Sequence, residues 1–136
     1  MIYQAELLLP PFGRGFHLIT DIIENNLPAL PEQGMVNIFI CHTSAGLTIN
    51  ENYDTTVRSD LANAFNKIAP ENNSLYDHNS EGSDDMPAHI KATLAGAALN
   101  IPVLKHRLGL GTWQGIYLCE FRNHKQKRRI IITIYG

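Results

Sequence analysis

Cysteine is scarce in this sequence, and a chain of 136 residues does not need it as a covalent staple. Cys41 and Cys119 are the only two cysteines, and each lies in an apolar, strand-like segment. A reduced thiol in such a segment behaves as a small hydrophobic group, so we expect both side chains in the core. A nucleophilic Cys41 activated by His42 is disfavoured, because neighbours in a strand point to opposite faces.

Long apolar runs and a strong net charge are also absent. No run approaches the ~20 residues that a membrane helix needs. The N-terminal segment MIYQAELLLPP has neither the basic start nor the small-residue cleavage site of a secretory signal. We therefore expect a cytoplasmic protein with no membrane partner. The formal net charge of -2 argues against nucleic-acid binding, which favours an overall basic domain.

The order of predicted elements defines the fold class. Helices are predicted from Asp21, over 54–70 and over 87–99, where Pro87 suits the first turn. Strand patterns cover 3–9, 15–20, 35–41, 101–106, 112–122 and 127–135. This order predicts one α+β domain over residues 1–136, with a mainly antiparallel sheet and helices packed on one face.

The segment CHTSAGLTINENYD, from Cys41 to Asp54, has more polar side chains than a strand interior usually ends with. Solvent-exposed loops rarely need such a concentration. Asp54 or a following threonine caps the next helix, so the polar residues lead directly to a helix N-terminus. We predict that one wall of a binding cavity is formed by His42, Thr43, Ser44, Glu51 and Asn52.

Three of the six histidines have contexts that suit a metal site. His42 ends a buried strand, His78 lies in a long acidic loop, and His89 falls in the first turn of the following helix. A helix N-terminus disfavours protonation, so His89 keeps a nitrogen available to a metal. These histidines, with Glu81 or Glu51 in reserve, could hold a zinc-like or magnesium-like divalent ion. The alternative is that they are ordinary hydrogen-bonding histidines.

Two further features suggest ligand contacts. Arg128 and Arg129 open the last strand, so alternation lets only one of them face a given pocket. Arginine suits phosphate, although charge on an edge strand that prevents aggregation explains the pair equally well. Trp113, the only tryptophan, lies between glycines in GTWQG, which is typical of core packing or of a stacking surface for a ring.

Taken together, the motifs RGFHLITD, HTSAGLTINEN, EGSDDMPAHIKATLAG, LGTWQGIYLCEFR and RRIIITIYG closely resemble the YjbQ family, over essentially the whole chain. The resemblance implies a compact α+β fold, a homotrimer and a polar site. The family's motif positions for that site fall here on His42, His78, His89, Glu51, Asn52, Asp54, Glu81 and Trp113.

The resemblance also implies a weak secondary thiamine-phosphate synthase activity, which joins an aminopyrimidine diphosphate to a thiazole phosphate and releases pyrophosphate. A divalent metal and an arginine would neutralise the pyrophosphate, and the helix start at Pro87 to Lys91 would bind phosphate oxygens. On this basis we assign Glu51, Glu81 and Asn52 to catalysis. We assign Thr43, Ser44, Lys91, Trp113, Arg128 and Arg129 to substrate binding.

Two other classes of function remain open at this stage. One is a metal-assisted hydrolase of a small phosphate or ester, with Glu51 or Glu81 as general base. The other is a non-enzymatic protein that binds a metal or metabolite. Acidic side chains crowd the stretch from Glu71 to Asp85, and basic side chains gather between Lys105 and Arg129. For the homotrimer, these opposed charges predict that the acidic loop of one subunit meets the basic C-terminal region of its neighbour.

Overall fold

The structure, a computed structural model, describes residues 1–136. None of its helices has the length and apolar character needed to cross a bilayer. The helices are α1 (Thr20–Asn25), α2 (Thr55–Ile68) and α3 (Asp85–Ala95), with a 3₁₀ helix at Asn73–Leu75. The strands are β1 (Ile2–Phe12), β2 (Gly15–Leu18), β3 (Gln33–Ile40), β4 (Ala45–Glu51), β5 (Ala98–Leu104), β6 (Arg107–Leu108), β7 (Gln114–Glu120) and β8 (Gln126–Tyr135).

The strands form two antiparallel sheets. A five-stranded sheet has the order β1-β8-β3-β5-β6, and a three-stranded sheet has the order β2-β7-β4. The predicted α+β class and antiparallel pairing are confirmed, but the sequence pattern did not separate two sheets and did not predict β4. That strand has the sequence AGLTINE, whose small and polar residues lack the usual composition of a strand.

The two sheets pack against each other, and α2 and α3 cover the other side of the three-stranded sheet. The main core lies between the sheets and includes Val36, Ile38, Leu47, Leu118 and Ile132. A smaller core lies between the three-stranded sheet and the helices and includes Phe16, Ala88, Tyr117, Cys119 and Phe121. Helices α2 and α3 therefore pack on one face, as predicted, whereas α1 contributes Ile23 to the main core, and the outer face of the five-stranded sheet is left uncovered.

Helix α3 lies close against β4, and small residues permit this approach. A Cβ atom added to Gly46 would lie 2.8 Å from the Cβ of Ala95. The helix ends at Ala95 because Gly96, with a φ of 100°, turns the chain into β5. The helix predicted over 87–99 therefore extends too far at its C-terminus. The observed helix also starts earlier than predicted, at Asp85.

The two cysteines differ in environment. Cys119 is fully buried, as predicted, and burial raises the pKa of its thiol to about 12. Cys41 is only half-buried, so the expectation of a core position is wrong for this residue. It follows the last residue of β3, Ile40, at the point where the strand leaves the sheet.

Candidate metal-binding site

Three potential metal ligands come together at the start of α3. Asp85 is the first residue of this helix, and His89 follows one turn later on the same side. His78 reaches them from the loop that precedes the helix. The ligand atoms of these residues all lie within 4.8 Å of one another. We call His78, Asp85 and His89 the His–Asp–His cluster.

The hydrogen bonds of His89 determine where its proton lies. Nδ1 of His89 lies 2.9 Å from the carbonyl oxygen of Thr43. Because a carbonyl oxygen only accepts, Nδ1 carries the proton. Nε2 of His89 lies 3.2 Å from Oδ2 of Asp85. In the neutral ring, the lone pair of Nε2 faces a carboxylate oxygen, so this contact becomes attractive only when a second proton or a metal cation lies between the two atoms.

Arg122 holds the carboxylate of Asp85 in place. It donates to Oδ1 of Asp85, which leaves Oδ2 for the two histidines, and Nε2 of His78 lies 2.7 Å from that Oδ2. Arg122 also donates to Oδ2 of Asp84 at 2.9 Å and to the carbonyl oxygen of Glu81 at 3.1 Å. The loop and the start of α3 are thus fixed by one guanidinium, in the way that outer groups orient metal ligands in known sites.

The charge of Asp85 suits a cation. Burial raises the pKa of this carboxyl group, but the hydrogen bond from His78, the attraction of His89 in its protonated form and the charge of Arg122 outweigh it and lower the pKa overall. The carboxylate is therefore ionised at neutral pH and available as a ligand.

An open cleft of about 600 Å³ lies beside the cluster. This volume is within the range of small-molecule sites. His89 belongs to both the cluster and the cleft, so the cluster lies at the edge of the cleft. The lining residues come from the β3–β4 connection, from α3 and from the turn into β5, and they are His42, Thr43, Ala45, His89, Ala92, Thr93, Gly96 and Ala97.

His42 forms part of the cleft wall as a neutral ring. Its Nε2 accepts a hydrogen bond of 2.8 Å from the backbone N–H of Arg129. Partial burial lowers the pKa of His42, and the positive charges of Arg128 and Arg129 lower it further. Because Nε2 is an acceptor, the proton of the neutral ring lies on Nδ1. His42 and His89 therefore both line the cleft. The sequence predicted His42 as the third metal ligand, but the residue that converges with His78 and His89 is Asp85.

The donor set of the cluster fits a divalent metal. Two imidazole nitrogens and one carboxylate oxygen are the protein ligands of several catalytic zinc and iron sites that keep a position open. Tetrahedral zinc places its ligand atoms about 3.3 Å apart. The separation of 3.2 Å between Asp85 and His89 matches this value. The separation of 2.7 Å between His78 and Asp85 is that of a hydrogen bond, and it would widen by roughly half an ångström around an ion.

The predicted cavity wall from His42 to Asn52 is wrong, because β4 separates its two halves. This strand has seven residues, which at ~3.3 Å per residue place its ends roughly 20 Å apart. Glu51 lies at the far end, where its carboxylate accepts from the backbone N–H of Asp54 at 3.1 Å. The amide of Asn52 donates to the carbonyl oxygens of Thr112 and Gln114. Both residues support the start of α2 and the turn before β7.

Three residues assigned to substrate binding lie inside the protein or bond to buried groups. Lys91 is 1% exposed and donates to the side chain of Asn66 at 2.6 Å, on the side of α3 that faces away from the cleft. Arg128 is 2% exposed and bonds to both carboxylate oxygens of Glu120. Ser44 accepts from Arg128 at 3.0 Å. The assignments of Lys91, Arg128 and Ser44 are corrected, because their polar atoms are already paired within the fold.

Arg129, Glu81 and Trp113 are exposed. Arg129 forms an ion pair of 2.7 Å with Glu6, beside the His42 wall of the cleft. Arg122 donates to the backbone carbonyl oxygen of Glu81. The carboxylate of Glu81 is not among the ligand atoms of the cluster. Trp113 is 61% exposed and lies edge-on to Tyr53, which excludes the core interpretation for this residue.

Sequence reasoning missed Asp85 and Arg122. Asp85 precedes His89 by four residues in DDMPAH, and this spacing aligns two side chains on one side of a helix. The signal becomes visible when the predicted helix is extended by one half-turn before Pro87. Arg122 had no comparable signal, because its contacts with the loop bridge more than thirty residues of sequence.

Comparisons with known proteins agree with the fold and the motifs. A family model described as UPF0047 protein YjbQ-like matches residues 6–136. The chain belongs to the YjbQ family. The YjbQ protein of Salmonella typhimurium is 50% identical to this chain and is aligned over 100% of it and 99% of its own length. A YjbQ relative from Synechocystis is 46% identical over 98% of this chain and 92% of its own.

Solved structures of similar proteins have the same fold. A conserved hypothetical protein from Thermus thermophilus superposes with a TM-score of 0.82 at 34% identity, covering 94% of this chain and 97% of its own. A YbjQ-like protein of unknown function from Sulfolobus solfataricus has a TM-score of 0.84 at 26% identity, covering 100% and 98%. These YjbQ likenesses establish the family and fold, and the chemistry has to be argued from the site.

Proposed function

We propose that this protein is a metal-dependent enzyme acting on a small phosphorylated metabolite, with the secondary thiamine-phosphate synthase reaction as the first candidate. In that reaction the thiazole ring nitrogen forms a bond to the methylene carbon of the aminopyrimidine diphosphate. The bond from that carbon to the diphosphate oxygen breaks, and pyrophosphate leaves with the electron pair. The observation that carries the proposal is the His–Asp–His cluster at the edge of an open cleft.

The residues that would hold a divalent metal are His78, Asp85 and His89, and zinc suits this donor set better than magnesium, which prefers oxygen ligands. When bound, the metal would neutralise charge on phosphate oxygens. Thr43 orients His89 through its carbonyl oxygen, and Arg122 orients Asp85. His42 presents a protonated Nδ1 as a hydrogen-bond donor on the cleft wall.

A metal-dependent hydrolase of a small phosphate or ester is the second candidate, and the charge of the cleft favours it. A departing pyrophosphate carries several negative charges and calls for cationic side chains. Lys91 and Arg128 are engaged inside the fold, and Arg129 is paired with Glu6. A single chain thus offers few free cationic side chains to pyrophosphate. A smaller substrate would need fewer of them.

One experiment separates these functions. Protein purified without an affinity tag is analysed for metal, then assayed for thiamine phosphate and pyrophosphate with and without a chelator. Equal amounts of both products, lost on chelation, support the synthase. Metal-dependent cleavage of phosphate or ester substrates, without formation of thiamine phosphate, supports the hydrolase. A metal-loaded protein without turnover supports a binding protein, and full turnover in a metal-free protein contradicts the metal site.

A matched pair of histidine variants sharpens this test. We expect His89→Ala to remove metal and turnover together, because His89 supplies a ligand and lines the cleft. The control is His124→Ala, since His124 is exposed in the turn before β8 and lies outside the cluster. Equal metal content in both variants would contradict the proposal.

We extend the proposal to a cytoplasmic homotrimer. The predicted contact between acidic and basic regions has less support than the trimer itself. Arg122 from the C-terminal region already pairs with Asp84 and Asp85 inside one chain. These opposed charges are therefore partly neutralised without a neighbour.

A further inference from the structure

A second pocket lies at the opposite end of β5 from the cleft. It has a volume of about 520 Å³ and lies between the segment that follows α1 and the hairpin of β5 and β6. The cleft is lined by Gly96 and Ala97 before the start of β5, whereas this pocket is lined by Arg107 and Leu108 beyond its end. The seven residues of β5 span roughly 20 Å at ~3.3 Å per residue. We call this second cavity the hairpin pocket.

One side of the hairpin pocket is apolar and fixed in position. Leu27, Leu30 and Leu108 line the pocket and also pack against the main core. Pro28, another lining residue, restricts the backbone of the segment after α1. The volume of the pocket is within the range of small-molecule sites. Apolar side chains that are held by the core and still reach solvent suit the apolar body of a ligand.

The other side of the pocket is formed by a tight hairpin. Leu104 of β5 pairs with Arg107 of β6, so Lys105 and His106 alone form the turn. Their φ angles are 50° and 67°. Two-residue turns with positive φ at both positions favour asparagine and glycine, because a Cβ atom is disfavoured in the left-handed region. The turn therefore costs free energy at both residues.

The same turn closes the pocket. Nδ1 of His106 donates to the carbonyl oxygen of Leu30 at 2.9 Å. This bond ties the hairpin to the segment after α1, so the two sides of the pocket are held together in the absence of a ligand. A glycine at position 106 would relieve the backbone but would remove the bond. The strained residue is thus the one that joins the two sides.

Arg107 supplies an unpaired positive charge to the pocket. Its side chain is exposed and takes part in none of the ion pairs of the chain. Lys105, two residues earlier, is also exposed and has no ion pair. Glu24 is the one carboxylate in the lining, and it is not paired with Arg107. The hairpin therefore presents two free positive charges against a single negative one.

We propose that the hairpin pocket binds a small organic carboxylate with an apolar body. The guanidinium of Arg107 receives the carboxylate through two parallel hydrogen bonds, and the apolar body lies against Leu27, Leu30 and Leu108. A single arginine beside Glu24 suits a monoanion better than a phosphate group, which carries more negative charge at neutral pH. The proposal does not rest on the proposed function, because the pocket and the cleft share no lining residue.

Three probes applied to wild type separate the role of charge from that of apolar contact. Phenylacetate has a carboxylate and an apolar ring, phenethylamine replaces the carboxylate by a cation, and acetate lacks the ring. NMR titration of isotope-labelled protein at neutral pH should give saturable shifts of the amide signals of Leu27, Leu30, Arg107 and Leu108 with phenylacetate at millimolar concentration. Phenethylamine and acetate should bind far more weakly. Equal affinity for either of them, or no saturable shift at these residues with phenylacetate, overturns the proposal.

Two charge variants should change the affinity for phenylacetate in opposite directions. Arg107→Gln removes the guanidinium and should weaken binding by ~10-fold or more. Glu24→Gln removes a like charge and should tighten binding roughly 1.5- to 5-fold. Both side chains are exposed, so neither change disturbs the core. The control is Lys67→Gln, an exposed residue of α2 outside the lining, which should bind as wild type does. Weaker binding in Glu24→Gln, or unchanged binding in Arg107→Gln, overturns the proposal.

A steric variant tests the location independently of charge. Ala29 lines the pocket and is exposed, so Ala29→Trp fills part of the volume without entering the core. This variant keeps Arg107 and should have the circular dichroism spectrum of wild type. Its affinity for phenylacetate should fall by ~10-fold or more, because the apolar ring loses its place. Unchanged affinity in the folded variant overturns the assignment to this pocket.

Discussion

Nδ1 of His89 lies 2.9 Å from the carbonyl oxygen of Thr43, and this bond joins α3 to the connection between β3 and β4. It fixes the proton of the neutral ring on Nδ1 and turns Nε2 toward Asp85. Metal-binding histidines commonly donate their second nitrogen to a carbonyl oxygen in this way. The bond therefore leaves Nε2 as the nitrogen of His89 that is available to the proposed metal.

The first prediction concerns the identity of the ligands. We expect Asp85→Asn to lower metal content strongly, because an amide supplies neither the charge nor the ligand strength of a carboxylate. His42→Ala should keep its metal, since the Nε2 of His42 is engaged by Arg129 and lies outside the cluster. Metal stoichiometry of the dialysed proteins measures both. Loss of metal from His42→Ala, with Asp85→Asn unaffected, would restore the three-histidine site in place of the cluster.

The second prediction concerns Arg122. Its replacement by Met removes the partner of Asp84 and Asp85, whose side chains are 10% and 6% exposed. Two nearly buried carboxylates without a counter-charge should lower the free energy of unfolding by roughly 2–4 kcal/mol and weaken metal binding about 10- to 100-fold. Urea denaturation and metal titration measure these effects. The control is Arg129→Met, whose exposed ion pair should contribute less than ~1 kcal/mol. Equal losses in both variants would reject the anchoring role.

The third prediction concerns the ion pair between Arg128 of β8 and Glu120 of β7, which joins the two sheets. Both side chains are buried, at 2% and 0% exposure, and their oxygens and nitrogens approach to 2.5 Å and 2.7 Å. Arg128→Met leaves the Glu120 charge buried alone and should destabilise the fold by about 3–5 kcal/mol. The double variant with Glu120→Leu should recover part of that loss. Additive losses in a double-mutant cycle would contradict this expectation.

The fourth prediction concerns pH and His42. Partial burial, followed by the charges of Arg128 and Arg129, places the pKa of this ring below its ordinary 6.5. Between the two pKa values the unfolded chain binds more protons than the folded one, so stability is present above pH 6.5 and is lost as pH falls through the folded pKa. We expect the imidazole signal of His42 to titrate below pH 6.5 in NMR spectra. In the His42→Ala variant, the free energy of unfolding should fall less steeply as pH decreases below 6.5. An unchanged dependence on pH would argue against His42 as the cause.

Particular elements show how far sequence reasoning reached. The helix over 54–70 was predicted closely because its apolar stripe and the Asp54 cap are local signals, and α2 covers Thr55–Ile68 with Asp54 accepting from Thr56. The strand β4 was missed because its small residues are explained only by the helix that packs on it. His78 and His89 were selected correctly as neighbours, but Asp85 was needed to bring them together.

The sequence by itself determined the family, the antiparallel α+β class and two of the three candidate ligands, His78 and His89, because periodicity, caps and motifs are properties of neighbours along the chain. Tertiary structure decided which of those residues meet. It sent Lys91 and Arg128 into the interior and placed Glu51 and Asn52 at the far end of β4. The physical reason is geometric. The extended backbone of β4 places its two ends roughly 20 Å apart, whereas one helical turn brings Asp85 and His89 into contact.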